Sequence, residues 1–209
     1  MNDLSIASEK GKYDIILRDI ERGYVIIEIK SSFSYSLVDE ATEIAKKYNP
    51  KKIYISAKEN TGLKLNSSVF SYSINYELTK AFKDVKLVAV ELSNRLDLIN
   101  KINNNIDYFY KSIDNYDVME FIKNKSAYYF TYKKEMCGCI IVENDEIKYL
   151  TFDEDMRYSE VPSMCLSKAL YHFSKNLTIN VNSKDEYLRS LVEEYGFENK
   201  GIVTNYYEV

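Results

Sequence analysis

The sequence predicts an α/β fold in which a mixed, mostly antiparallel sheet is flanked by helices and the chain forms two pseudo-repeated halves. Two short polar connections, residues 133–135 and 144–145, separate three apolar stretches and so predict antiparallel hairpins. Strand-like runs elsewhere alternate with apolar residues at helical spacing, as expected of α/β units. With 209 residues, 45% of them hydrophobic, the chain can bury a core.

The first half, residues 1–84, opens with a hairpin of two predicted strands, residues 13–18 and 24–30. A helix follows, with Ser36 as a plausible cap, and the strand of residues 53–57 comes next. The predicted buried face of this helix contains Leu37, Ala41, Ile44, Ala45 and Tyr48.

The second half, residues 85–209, is longer. Its predicted elements are an apolar run (85–92), a helix (94–110), three strands (128–132, 137–143 and 147–152) and a helix that begins near Pro162. The first helix has Leu96, Ile99, Ile106 and Phe109 on one face, and the second has Leu166, Ala169, Leu170 and Phe173.

The chain ends in a strand, a helix and a final strand. Ser183 and Glu186 predict a capping box after the strand of residues 177–181. Gly196 predicts a left-handed helix stop, and Phe197 is placed to fold back onto the last turn. The predicted buried face of the helix contains Leu188, Leu191, Val192 and Tyr195.

Part of the first half repeats the order of elements in the second. Residues 13–57 match residues 137–181 element by element, and Tyr35-Ser36 precedes one helix as Tyr158-Ser159 precedes the other. We favour a tandem whose first copy is shortened. A single larger α/β domain with extra strands stays open as the alternative, because any strand-helix unit needs the same periodicities.

The order of elements in residues 85–209 resembles the GNAT superfamily of acyl-CoA-dependent N-acyltransferases, whose C-terminal part also has a strand, an amphipathic helix, a Gly-Phe pair and a closing strand. The resemblance implies transfer of an acetyl group from acetyl-CoA to a primary amine by direct attack, without a covalent enzyme intermediate and without a metal. The expected acceptor is a small-molecule or peptide amine, and a homodimer is left open.

The pyrophosphate loop of that family, Arg/Gln-x-x-Gly-x-Gly/Ala, corresponds to residues 157–162, where only the first position agrees. Glu160 and Pro162 stand at the two glycine positions; they add a carboxylate and remove an amide donor. The cofactor-binding residues that the resemblance implies are Phe152, Arg157, Tyr158, Ser159 and Asn182. The changed loop also favours an alternative, a catalytically inactive GNAT-fold module that binds a ligand or another protein.

The catalytic residues that the resemblance implies also differ from the family pattern. Val192 occupies the position of the usual general-acid tyrosine, and Tyr207 is the substitute we predict. Glu154 is the predicted general base, with Glu143 as an alternative. Lys30 and the serine-rich residues 31–36 form a rival candidate anion site, although serines of this kind more often start helices and turns.

Composition narrows the remaining function classes. A net charge of -4 argues against nucleic acid as a partner, and the longest apolar runs fall far short of a membrane span. The polar start carries no signal sequence, which predicts a cytoplasmic protein. Cys137 and Cys139 are expected on one side of a strand, where they could join Cys165 at a metal, but small buried apolar roles are favoured.

Overall fold

The structure, a computed structural model, describes residues 3–75, 82–106, 110–173 and 176–209. The strands are β1 (Leu4–Ser8), β2 (Gly11–Ile16), β3 (Tyr24–Ile29), β4 (Lys52–Ala57), β5 (Lys64–Asn75), β6 (Val85–Ala89), β7 (Ala127–Tyr132), β8 (Glu135–Glu143), β9 (Glu146–Phe152), β10 (Asn176–Asn182) and β11 (Glu198–Glu208). The α-helices are α1 (Tyr35–Lys46), α2 (Arg95–Asn105), α3 (Asn115–Lys123), α4 (Val161–His172) and α5 (Glu186–Tyr195). Within the described ranges, no helix is long and apolar enough to span a bilayer.

The chain forms two compact units. Unit 1 contains Met1–Phe70, Asn182–Lys184 and Ile202–Val209, and unit 2 contains Ser71–Val181 and Asp185–Gly201. Three strands, β5, β10 and β11, have residues in both units. The division of the sequence into halves after residue 84 stays a prediction.

Unit 1 contains strands in the order β1-β2-β3-β4-β11-β5. The pairs β1/β2, β2/β3 and β4/β11 are antiparallel, whereas β3 and β4 are parallel over five positions. Helix α1 connects the parallel strands and buries Leu37, Val38, Ala41 and Ala45 in the core of this unit. Leu37, Ala41 and Ala45 belong to the face predicted from helical spacing.

The cap of α1 is Ser34, so the prediction of Ser36 was wrong. The Ser34 hydroxyl accepts a hydrogen bond of 3.2 Å from the Leu37 amide. Because the helix begins at Tyr35, Ser36 lies inside the first turn. The sequence patterns also did not predict β1 and β5, whose residues lack the marked apolar runs of the neighbouring strands.

Unit 2 contains strands in the order β10-β9-β8-β7-β6, of which only β9 and β10 are parallel to each other. The two predicted hairpins are confirmed: Lys133, Lys134, Asn144 and Asp145 all have positive φ, as tight two-residue turns require. Both units therefore have the predicted mixed, mostly antiparallel strand arrangement with helices alongside. The series β8-β9-α4-β10 repeats the order and pairing directions of β2-β3-α1-β4.

Helix α2 differs from its prediction in length and in its buried face. Leu98 and Ile102 are fully buried, while Leu96, predicted inside, is 58% exposed. The helix ends at Asn105 because Ile106 has extended backbone angles. Phe109 lies outside the described residues. Helix α3 was not predicted; it begins with a capping box formed by Asp114 and Asp117.

At the C-terminus, α5 is capped by Asp185, so the predicted Ser183 cap was wrong. The Asp185 carboxylate accepts a hydrogen bond of 2.9 Å from the Leu188 amide. Ser183 instead exchanges two hydrogen bonds with the backbone of Ser68, because it lies in the turn directly after β10 and not at the helix start. Gly196 has φ 101° and ends α5 in the left-handed region, as predicted.

The buried Tyr72 of unit 2 is expected to make the free energy of unfolding depend on pH in the alkaline range. It is 1% exposed, and its hydroxyl donates to Glu193 Oε1 at 2.7 Å. Burial, reinforced by Glu193, raises the pKa of Tyr72 to about 12 from its usual value near 10. A raised pKa in the folded state contributes stability below pH 10 that is lost as the pH rises towards 12.

The Tyr72→Phe variant tests this. It is expected to be less stable than the parent at pH 9, and the difference should shrink as the pH approaches 11. Urea unfolding at a series of pH values measures the difference. Tyr116→Phe, at a hydroxyl on a 76% exposed side chain, is the matched control and should show no such trend. A constant difference for Tyr72→Phe would contradict the assignment.

Candidate functional site

The candidate site lies in unit 2, where the parallel strands β9 and β10 separate. They pair at only two positions, Glu146 with Thr178 and Ile147 with Ile179. Beyond these positions the edge of β9 that faces β10 is left unpaired by that strand. A cavity of about 30 Å³ lies at the divergence, and its lining includes Asn105, Lys148, Leu150, Asn180 and Leu188.

A larger cleft of about 470 Å³ lies between the loop before α4 and helix α5. The loop and the start of α4 contribute Arg157, Tyr158, Ser159 and Ser163. Helix α5 contributes Glu186, Tyr187, Ser190 and Glu194. The sequence-predicted residues Arg157, Tyr158 and Ser159 therefore lie together at one cleft.

Arg157 is held by its neighbours in unit 2. Its Nε donates to the Phe152 carbonyl at 3.4 Å, and its Nη2 donates to the Asn105 side chain at 3.3 Å. Its guanidinium carbon also lies 5.5 Å from the centre of the Tyr187 ring, a cation–π geometry. Arg157 thus connects the residues of the small cavity with those of the larger cleft.

Tyr187 contributes a half-buried ring with a buried hydroxyl oxygen to the cleft. Burial raises its pKa above the usual value, although the nearby Arg157 opposes the rise. Among the described residues its hydroxyl has no hydrogen-bond partner. The exposed Tyr158 ring lies at 6.2 Å in an edge-to-face arrangement.

Phe152 and Asn182, two further residues of the predicted cofactor set, have structural side-chain contacts. Phe152 is 1% exposed and its ring stacks on Phe130 at 5.7 Å, so the side chain is not available to a ligand. Asn182 belongs to unit 1, where it donates to Ser67 Oγ at 3.1 Å and accepts from the Lys184 amide at 3.0 Å.

The predicted catalytic residues are not among those that line the two cavities. Glu154 is exposed and begins the short 3₁₀ turn after β9. Glu143 is partly exposed and accepts from Asn124. Tyr207 lies in the core of unit 1, where its hydroxyl donates to the Glu59 carbonyl at 2.8 Å. Their catalytic roles stay predictions.

The α5 side of the cleft was not predicted from the sequence. Glu186, Ser190 and Glu194 recur every four residues, so helical spacing alone places them in one line. This four-residue spacing could have identified the polar line of α5, but the apolar face of the same helix is the stronger pattern in the sequence. Asn105 carried no such signal, because its place beside Arg157 depends on how α2 packs.

The polar groups of the rival anion site in unit 1 already form ion pairs and hydrogen bonds within the protein. Lys30 pairs with Glu28 at 2.6 Å and with Asp14 at 3.3 Å, and the hydrogen bond to Glu28 raises the pKa of Lys30. The Ser31 hydroxyl accepts from the Lys12 amide. With Ser34 capping α1, this segment supports the favoured structural interpretation.

The three cysteines are buried free thiols. Cys137 Sγ lies 4.0 Å from Cys165 Sγ, while Cys139 Sγ lies 3.1 Å from Thr151 Oγ1. A β-bulge beside Cys137 interrupts the alternation of β8, and the two thiols contact different neighbours. In the part of the chain that the structure describes, no cluster of His, Cys, Asp or Glu could hold a metal.

Comparison with known proteins identifies the fold. No family model and no curated protein matches the sequence. Among solved structures, a GCN5-related N-acetyltransferase from Sphaerobacter thermophilus has a TM-score of 0.61 at 6% identity, covering 95% of this chain and 76% of its own. A conserved protein of unknown function from Staphylococcus epidermidis has 0.59 at 13% identity, covering 99% and 93%.

A tandem GNAT protein from the clavulanic acid biosynthesis pathway has a TM-score of 0.56 at 8% identity, covering 99% of this chain and 82% of its own. The fold is therefore that of GNAT proteins, as the order of sequence elements predicted. Identities this low show the fold alone, so activity has to be argued from the site.

Proposed function

We propose that unit 2 is an N-acyltransferase that transfers an acetyl group from acetyl-CoA to a primary amine. The observation that carries the proposal is the divergence of β9 and β10 after two paired positions, beside the small cavity. The resemblance to GNAT enzymes supports the proposal that the thioester and the amine react between these two strands.

The unpaired edge of β9 suits the pantetheine arm of the donor. Backbone amides and carbonyls that no neighbouring strand satisfies can pair with an extended chain that contains amides, as in strand addition. From Lys148 to Thr151, β9 has such an edge towards β10, whereas the Phe152 carbonyl accepts a hydrogen bond from Arg157 Nε. A backbone amide directed at the thioester carbonyl would stabilise the charge that develops during attack.

Direct transfer of the acetyl group requires few catalytic side chains. Holding the amine beside the thioester supplies much of the rate increase in a direct transfer. Two steps remain. We assign deprotonation of the incoming ammonium to Glu154, acting through water because its carboxylate is exposed. As the new C–N bond replaces the C–S bond, the CoA thiolate leaves and takes a proton from water.

Asn180 provides a direct test of the proposal that the reaction takes place in the gap where β9 and β10 separate. It follows the last paired position of β10, lines the small cavity and donates to Glu146 Oε1 at 3.0 Å. Asn180→Trp is expected to fill the gap and lower acetyl transfer by about a hundredfold or more, because misplaced reactants react slowly. Asn180→Thr loses the same hydrogen bond but leaves the gap open, so it should keep most activity.

The assay follows thiol release from acetyl-CoA with a panel of primary amines. The buried protein thiols give little background. Circular dichroism confirms that both variants fold. Full activity in a folded Asn180→Trp variant would overturn the placement of the site in this gap.

The inactive binding module is the second candidate, and the internally bonded loop before α4 favours it. Several amides of that loop donate within the loop, which leaves few for a phosphate. If the folded protein neither releases thiol with any amine nor binds acetyl-CoA at millimolar concentration in a calorimetric titration, the module becomes the better description.

A further inference from the structure

We propose that the donor is recognised through its pantetheine arm and thioester, and that its nucleotide contributes little. The substrate class of the site is then pantetheine thioesters in general, of which acetyl-CoA is one. This inference rests on the proposed function. Three independent features of the loop and the larger cleft support it.

The first feature is the use of amides in the loop between β9 and α4. The Asp153 amide donates to the Cys137 carbonyl, and the amides of Met156, Arg157 and Ser159 donate within the loop. A phosphate-binding loop needs such amides directed at the ligand. Here they stabilise the loop itself.

The second feature is the first turn of α4. The Val161 amide donates to Ser159 Oγ at 3.2 Å, and Pro162 has no amide hydrogen. The Met164 amide donates to the Glu160 carbonyl at 3.1 Å. Of the first four residues of the helix, only Ser163 retains an amide for a ligand, so the usual attraction of a helix start for anions is weak.

The third feature is the charge around the larger cleft. Its lining has one cationic side chain, Arg157, which already contacts Asn105 and Tyr187. Two carboxylates, Glu186 and Glu194, line the opposite side. The nearby Lys101 forms an ion pair with Asp153.

These charges oppose the phosphates of CoA. Carboxylates near a phosphate raise the energy of the bound anion, and one arginine with other partners offsets only part of this. The pantetheine arm is uncharged, so the same carboxylates do not affect it. Removing the nucleotide from the donor should therefore cost little.

The experiment compares three donors in the thiol-release assay: acetyl-CoA, acetyl-pantetheine and an acetylated phosphopantetheine on a carrier protein. We expect kcat/KM for acetyl-pantetheine to lie within about tenfold of that for acetyl-CoA, since exposed charges contribute little each. Faster transfer from the carrier protein than from acetyl-pantetheine would identify the carrier as the source. A preference for acetyl-CoA above about tenfold would overturn the proposal.

Charge variants give a second measurement. The double variant Glu186→Gln/Glu194→Gln should raise kcat/KM for acetyl-CoA about two- to fivefold and leave acetyl-pantetheine unchanged. Glu120→Gln, at an exposed glutamate on α3, is the matched control and should change neither. Equal gains for both donors would contradict the electrostatic argument.

Salt dependence separates failure of this inference from failure of the proposed function. Repulsion between the cleft and the phosphates is screened by salt, so acetyl-CoA binding should not weaken between about 0.05 and 0.5 M salt. A marked loss of affinity would show a cationic phosphate site and overturn the inference alone. No binding or transfer with any donor would overturn the proposed function and this inference together.

Discussion

Replacing Phe152 with alanine is expected to lower the free energy of unfolding by about 3–5 kcal/mol, the range for a large side chain removed from a packed core. The ring is 1% exposed and lies nearly parallel to Phe130, with 17° between the ring planes. Its removal leaves a cavity beside Gly138, its partner in β8, where no side chain is available to fill the space.

Urea unfolding followed by circular dichroism measures this loss. Tyr158→Ala is the control, since that ring is 91% exposed and its removal should change stability by no more than about 0.5 kcal/mol. A loss below about 1 kcal/mol for Phe152→Ala would mean that the ring is not part of the core and could contact a ligand.

Gly138→Ala is expected to destabilise the protein by about 2–3 kcal/mol, through overpacking. A Cβ at this position would lie 2.4 Å from the Thr151 carbonyl oxygen and 2.9 Å from the Phe152 ring. The first of these atoms belongs to the backbone of β9, so relief requires the two strands to move apart.

Gly196→Ala separates this steric effect from conformational strain. Gly196 has φ 101°, and a Cβ added there would meet no neighbouring atom within 4 Å. Alanine should therefore cost only about 1 kcal/mol, from the left-handed backbone alone. Equal losses for the two variants would contradict the assignment of Gly138 to close strand approach. Denaturant midpoints at constant slope provide the comparison.

Local signals in the sequence determined much of the fold. The turns at residues 133–134 and 144–145 and the stop at Gly196 appear where their residue types predicted. The predicted repeat in the order of elements is also present, and the structure adds that the strands on either side of α1 and of α4 are parallel. These features depend on a few neighbouring residues, so a single sequence is sufficient to predict them.

Helix boundaries and the buried faces of helices were harder to predict from the sequence. Several polar residues near each helix start can act as caps, and in the structure Ser34 and Asp185 cap α1 and α5 in place of the predicted Ser36 and Ser183. In α2, two apolar stripes compete, and packing against β8 and β9 buries the one that contains Leu98. Periodicity alone cannot rank two such faces.

For the candidate site, too, some features follow from the sequence and others from tertiary packing. The sequence by itself determined that Arg157, Tyr158 and Ser159 precede a helix and that the usual glycines are replaced. Only the tertiary structure decided that β9 and β10 separate after two pairs and that Glu186 lies across the cleft from Arg157. Short-range patterns specify turns and helix ends, whereas cavities and their charge arise from residues distant in the chain that packing brings together.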